Sequence, residues 1–268
     1  MQRKIYILII CIFLYFSCER NSNPISYNDN VFITKIDIEG MMKKHLPDFR
    51  IVRKRARWKE GREFVFVNDK HNIFIRAGIH SSKAKVQEIA EEYNNSCWIR
   101  PIEDTNKIWG IGDKCWWMPD IDSPDTVQYQ FIRNNIFIIV NSHNYPDILS
   151  LTKSIDQDIL NDADYIKLGY SLSLPVIKSI TASKKELKEG ETTKITIQAS
   201  DPYNEPLEYV FNFGLYHVES DPKNVFTFEA SRDYVPAPFF GSHILKFIVV
   251  NESNVVSEVA EFEITIFQ

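Results

Sequence analysis

Across 268 residues there is no Gly-x-Ser-x-Gly elbow, no glycine-rich phosphate loop and no His-Glu-x-x-His helix. The usual sequence signatures of serine hydrolases, phosphate-loop nucleotide binders and zinc peptidases are therefore missing. The six histidines, His45, His71, His80, His143, His217 and His243, show no paired spacing of the kind that holds a metal. No cofactor motif occurs. Long apolar runs are also scarce. The one unbroken run, Ile5–Phe16, is too short to span a bilayer comfortably. Positive charge is in deficit, with a formal balance of −5, which argues against nucleic acid as a partner.

What is present begins with export. Arg3 and Lys4 precede the apolar run, and a small residue, Ser17, precedes Cys18. A short basic region followed by a run of this length reads as a secretory signal peptide over residues 1–17. Leu14-Tyr15-Phe16-Ser17-Cys18 resembles the lipobox of bacterial lipoproteins. That resemblance implies lipid attachment at Cys18 and a membrane partner reached through the acyl chains. Each buried methylene contributes about 0.8 kcal/mol to such anchoring. Residues 18–26 then read as a polar tether. Glu19 stands where an aspartate would imply retention at the inner membrane, so the resemblance favours the outer membrane.

Without the leader, 251 of the 268 residues remain and the charge falls to −7, because Arg3 and Lys4 leave with it. That length accommodates two domains, each with a core. A hydrophobic content of 44% and an aromatic content of 13% suit folded chains.

Residues 27–169 read as an α+β domain, an antiparallel sheet with packed helices. Phe32–Ile38 alternates as a strand does, and Glu39–Leu46 makes a short helix stopped by Pro47. Glu63–Val67 and Ile73–Gly78 flank a polar turn and form a hairpin. Val86, Ile89, Ala90 and Tyr93 share one face of a helix over Lys83–Tyr93, capped from Ser81-Ser82. Val127–Ile132 and Ile136–Val140 make a second hairpin around Arg133-Asn134-Asn135, and a helix over Pro146–Leu160 closes the domain. The turn Gly110-Ile111-Gly112-Asp113, that hairpin and the final helix resemble small uncharacterised bacterial lipoprotein domains of the PsbP-like kind. This implies fold more than function.

Tyr165–Leu174 reads as the linker region, narrowed to residues 170–174, and residues 175–268 as a β-sandwich able to fold alone. Its strands are expected at Val176–Thr181, Thr193–Ala199, Leu207–Phe213, Asn224–Glu229, Ile244–Asn251 and Val255–Ile266. Pro175-Val176-Ile177, Leu187-Lys188-Glu189-Gly190-Glu191, Ala199-Ser200-Asp201-Pro202 and Gly241-Ser242-His243 are similar to pieces of bacterial immunoglobulin-like domains of the PKD or cadherin-like type. That likeness implies spacing and display.

Four local constellations carry chemistry. Cys97 and Cys115 are the two cysteines left in the folded part. In an oxidising compartment they suggest a disulfide worth about 3 kcal/mol. Two buried free thiols are the alternative. Trp98, Trp109, Trp116 and Trp117 crowd one stretch, either as core or as an exposed patch for a glycan or protein partner. Arg53-Lys54-Arg55-Ala56-Arg57 heads a basic stretch that could meet anionic headgroups or an acidic partner. It is weighed against a solvated strand edge with its charges split between two faces. Asp113, Asp120, Asp122 and Asp125 lack the spacing of a calcium loop. The sequence thus points to a lipid-anchored binding or structural protein of the cell envelope without catalytic activity. The alternatives are an envelope enzyme acting on glycans, or an accessory subunit of a transport or assembly system.

Overall fold

The computed structural model describes residues 31–268 apart from 98, 106, 120–125, 163–165, 169–171, 214–216, 222, 233–234 and 236–237. The leader, Cys18, the tether, Trp98, Asp120, Asp122 and Asp125 lie outside the described residues. The described residues are mostly β-sheet with three helices.

The alternation around residues 50–79 builds three strands: β2 (Arg50–Arg57), β3 (Gly61–Val67) and β4 (Asn72–Ile79). Strand β1 (Val31–Ile33) precedes them, shorter than the alternation predicts, because helix α1 (Ile38–His45) begins early. Asp37 caps that helix by accepting from the Gly40 N–H at 2.9 Å. Helix α2 (Lys83–Ser96) starts where Ser82 accepts from the Lys85 N–H at 3.1 Å. Short β5 (Ile102–Glu103) and β6 (Lys114–Pro119) lead to the hairpin of β7 (Thr126–Arg133) and β8 (Ile136–His143). Its two-residue turn places Asn134 at φ 54°, a left-handed conformation that asparagine tolerates. Helix α3 (Ile148–Asn161) follows.

Seven of these strands form one antiparallel sheet in the order β2-β3-β4-β8-β7-β6-β5. One face packs on α1 and α3, through Ile38, Met41, Leu151, Ile155 and Ile159. The other packs on α2, through Val86, Ile89 and Ala90 against Trp116, Ile132 and Phe137.

Within the stretch predicted to be a linker, β9 (Ile166–Leu168) pairs antiparallel with β1, and Leu172 and Leu174 pack on the first core. Strand β9 falls inside residues 27–169, read as the α+β domain, ahead of the narrowed linker at 170–174. The short strand has its partner some 130 residues earlier in the chain, which local periodicity cannot reveal.

The remaining strands are β10 (Val176–Ala182), β11 (Glu186–Lys188), β12 (Thr192–Ser200), β13 (Leu207–Phe213), β14 (His217–Asp221), β15 (Val225–Glu229), β16 (Gly241–Asn251) and β17 (Ala260–Phe267). They make a three-stranded sheet, β10-β12-β15, and a five-stranded sheet, β11-β17-β16-β13-β14. Ile195, Ile197, Phe226 and Phe228 of the smaller sheet meet Phe211, Phe213, Phe247 and Ile264 of the larger in one core. Alternating inward residues on both sheets define a β-sandwich.

The two parts share a dry seam. Glu208 of β13 accepts from the Ala56 N–H at 2.7 Å and from Arg62 Nη1 at 2.8 Å. The loop after β16 reaches across the seam: the Ile79 N–H donates to the Asn254 carbonyl at 2.9 Å, and the Val256 N–H donates to the Ile79 carbonyl at 2.9 Å. Ala56 is packed among Val210, Ile248, Val250 and Val256.

Candidate functional site

Successive side chains leave a strand on opposite sides. Arg53, Arg55 and Arg57 of β2 therefore share the face that α2 partly covers, while Lys54 turns away to Glu39 at 2.8 Å. The basic stretch does not simply divide its charges. The spacing of three arginines at every second position was the signal for this, and the surrounding lysines and arginines masked it. Strand register extends the row: Arg55 stands opposite Glu63, Glu63 opposite Arg76 and Arg76 opposite Ile139. In the neighbouring row Phe74 stands opposite Asn141, and Asn141 opposite Gln128.

Glu63 is the hub, with its side chain only 2% exposed. One carboxylate oxygen accepts from Arg55 Nε at 3.2 Å and lies 2.9 Å from an Arg53 terminal nitrogen. The other accepts from Arg76 Nε at 3.0 Å and lies 3.4 Å from Arg57 Nε. Arg76 also reaches the Tyr93 hydroxyl of α2 at 3.5 Å. Burial works against ionisation of Glu63, but Arg76 and Arg57 outweigh it and hold the carboxyl below its ordinary range. At Arg57 the balance runs the other way. Burial and repulsion from Arg76 lower its pKa despite Glu63. Glu60, in the turn before β3, is pushed upward by burial although Arg76 and Arg57 oppose the shift. It is thereby a weaker counter-charge.

Four guanidiniums thus surround one firmly ionised carboxylate, and the excess positive charge opens onto a cavity of about 240 Å³. Arg53, Arg57, Arg76 and Glu63 form its charged side. Phe74 and Ile139 give it apolar surface, and Gln128 and Asn141 supply amides. Asn141 Nδ2 donates to Gln128 Oε1 at 3.3 Å. Gln128 is 5% exposed and lies against Tyr93, yet its Nε2 has no well-formed hydrogen bond. A guanidinium cluster with free N–H groups suits carboxylate, phosphate or sulfate oxygens.

The residues singled out from sequence are dispersed. β6 sends Trp116 under α2 and Trp117 to the opposite face. There Trp117 meets Trp109 edge-on at 6.4 Å, and Trp109 meets Tyr129 at 5.6 Å. The described tryptophans form no single patch. Cys97 and Cys115 are free thiols, which corrects the disulfide expectation. Cys115 lies in the core shared with α1 and α3, whereas Cys97 ends α2 on the far side of the sheet. Of the acids, Asp113 is held by Arg133 at 3.1 Å and Lys83 at 3.1 Å. The described residues contain no cluster of metal-ligating side chains. Among them no helix is long and apolar enough to cross a membrane.

No family model matches this chain, and no curated protein does. Two solved structures are similar to part of it. One is the PKD domain of an M14-like peptidase from Thermoplasmatales archaeon SCGC AB-540-F20, with 17% identity and a TM-score of 0.28, covering 35% of this chain and 94% of that one. The other is the PKD1 domain of Vibrio anguillarum Epp, with 11% identity and a TM-score of 0.25, covering 35% and 96%.

Proposed function

We propose that this chain is an exported protein, held at the cell envelope by a lipid on Cys18, that binds a small anionic ligand on the arginine-lined face of its seven-stranded sheet without transforming it. One observation carries the reading: four arginines converge on a single buried carboxylate beside an open cavity. Like charges gathered at partly desolvated positions destabilise the fold unless an anion compensates them. Glu63 neutralises only one. Binding is the reading adopted because Glu63 is taken up as the shared counter-charge of its arginines.

A ligand that binds only the folded state raises its stability by mass action. Full-length protein extracted in detergent is expected to melt several degrees higher in phosphate or sulfate than in chloride of equal ionic strength. Equal melting in all three salts overturns the anion reading. Anchoring is tested by metabolic labelling with a lipid precursor. Label is expected on the wild type and absent from Cys18→Ser. Label retained by Cys18→Ser refutes attachment there.

A further inference from the structure

We propose that the ligand of this face is a small acidic saccharide, a hydroxylated ring bearing one carboxylate, phosphate or sulfate. The inference rests on the anion-binding reading and adds what the rest of the cavity selects. The volume of about 240 Å³ lies below the roughly 300–1,000 Å³ that takes a drug-sized ligand. It admits one small ring. The rest of the lining is not charged. It offers the half-buried Phe74 ring, Ile139 and the paired amides of Gln128 and Asn141. Amides donate and accept at once, as hydroxyl groups require. An aromatic face packs against the C–H side of a sugar ring.

Larger anions fit less well. The cavity opens on the middle of a sheet, where the backbone groups of β3, β4, β8 and β7 are consumed by ladder pairing. Of the lining strands only β2 is a sheet edge, and there the Ala56 N–H is already taken by Glu208. The chain as a whole carries −5, so a long polyanion would be repelled beyond this one spot. A single acidic group on a compact polar body meets the arginines without that penalty.

Calorimetric titration of the full-length protein in detergent with glucuronate, glucose 6-phosphate, glucose and inorganic phosphate tests this. Glucuronate or glucose 6-phosphate is expected to bind at least tenfold more tightly than inorganic phosphate, with glucose undetectable. Asn141→Ala and Gln128→Ala should each remove most of that advantage, lowering the affinity for the acidic sugars far more than that for phosphate. Arg57→Gln should weaken every anion about tenfold. Should Arg57→Gln fail to fold, Arg53→Gln, at a side chain 45% exposed, serves instead. If phosphate binds as tightly as both acidic sugars, or the amide variants leave the ratio untouched, the saccharide inference falls and the anion face stands. If no anion binds, both fall.

Discussion

On β4, Ile73, Ile75, Ala77 and Ile79 point to the side covered by α1 and α3, and all four are shut off from solvent. Phe74 and Arg76, one step out of phase, point to the other side and line a cavity. The same alternation divides β7, where Tyr129 and Phe131 join the closed core while Gln128 faces the cavity. One face is apolar and sealed by two helices. The other is sealed in part by α2 and is polar where the cavity opens. The difference separates two kinds of requirement. The sealed face supplies burial that any folded chain needs. The open face carries clustered arginines around one carboxylate and a pair of amides, groups that core burial alone does not call for.

The largest effect is expected on the sealed face. Phe131→Ala removes a ring with no solvent exposure from a core with no slack and should cost about 3–5 kcal/mol. The drop is read as a lowered urea midpoint. Arg53→Gln, on the open face, should leave that midpoint nearly unchanged, since exposed ion pairs contribute about 0–1 kcal/mol. Equal losses from the two would dissolve the contrast.

Next in size is an acid effect at the seam between the two parts. His80 is 3% exposed, its Nε2 has no partner, and burial together with Lys85 lowers its pKa to about 3. The unfolded chain takes up this proton below pH 6.5 and the folded chain does not. Its stability is therefore full above pH 6.5 and declines as the pH falls toward 3, by up to a few kcal/mol. The same decline in His80→Gln would assign the acid sensitivity elsewhere.

Much of the architecture was legible because it is local. The helix at Lys83 announced itself by a serine cap and apolar spacing, and both hairpins by alternation around polar turns. The seam was not legible, because it is made by a loop and by Glu208 reaching a backbone N–H 152 residues away, and neither was the β9–β1 pair, whose partners are far apart in sequence. The arginine face was half visible. Arg53, Arg55 and Arg57 show their period on the page, but Glu63, Arg76, Asn141 and Gln128 come from four other strands and meet only once the register is fixed. A one-residue slip would have sent them to the other face.

A smaller change is expected at Glu63. Glu63→Gln keeps the shape but leaves the arginines with a neutral hub, which should cost about 1–3 kcal/mol. Sulfate should restore more stability to this variant than to the wild type, because it replaces the missing charge. Equal rescue by sulfate and chloride would show that the arginines are already satisfied.

The smallest effect concerns the cysteines, and it tests the two faces directly. Cys115 is 2% exposed among residues of the sealed face, and its neighbour Trp116 packs under α2 on the other. Cys97 follows α2, half-buried, with its thiol donating to the Tyr93 carbonyl at 3.3 Å. The sheet lies between the two sulfurs. A bridge needs α-carbons within about 7 Å and Cβ vectors that converge. Burial also pushes the Cys115 thiol up to about 12, so little reactive thiolate forms there at neutral pH. Cys97, less enclosed though also shifted upward by burial, is the one to react first. Native protein carrying Cys11→Ser and Cys18→Ser should therefore label slowly at one thiol, and two thiols should appear on denaturation. Reductant should leave its melting temperature unchanged, and Cys97→Ser should shift stability by under about 0.5 kcal/mol. A melting temperature that falls on reduction, with no thiol detectable beforehand, would place both cysteines on one side of the sheet and undo the assignment of its faces.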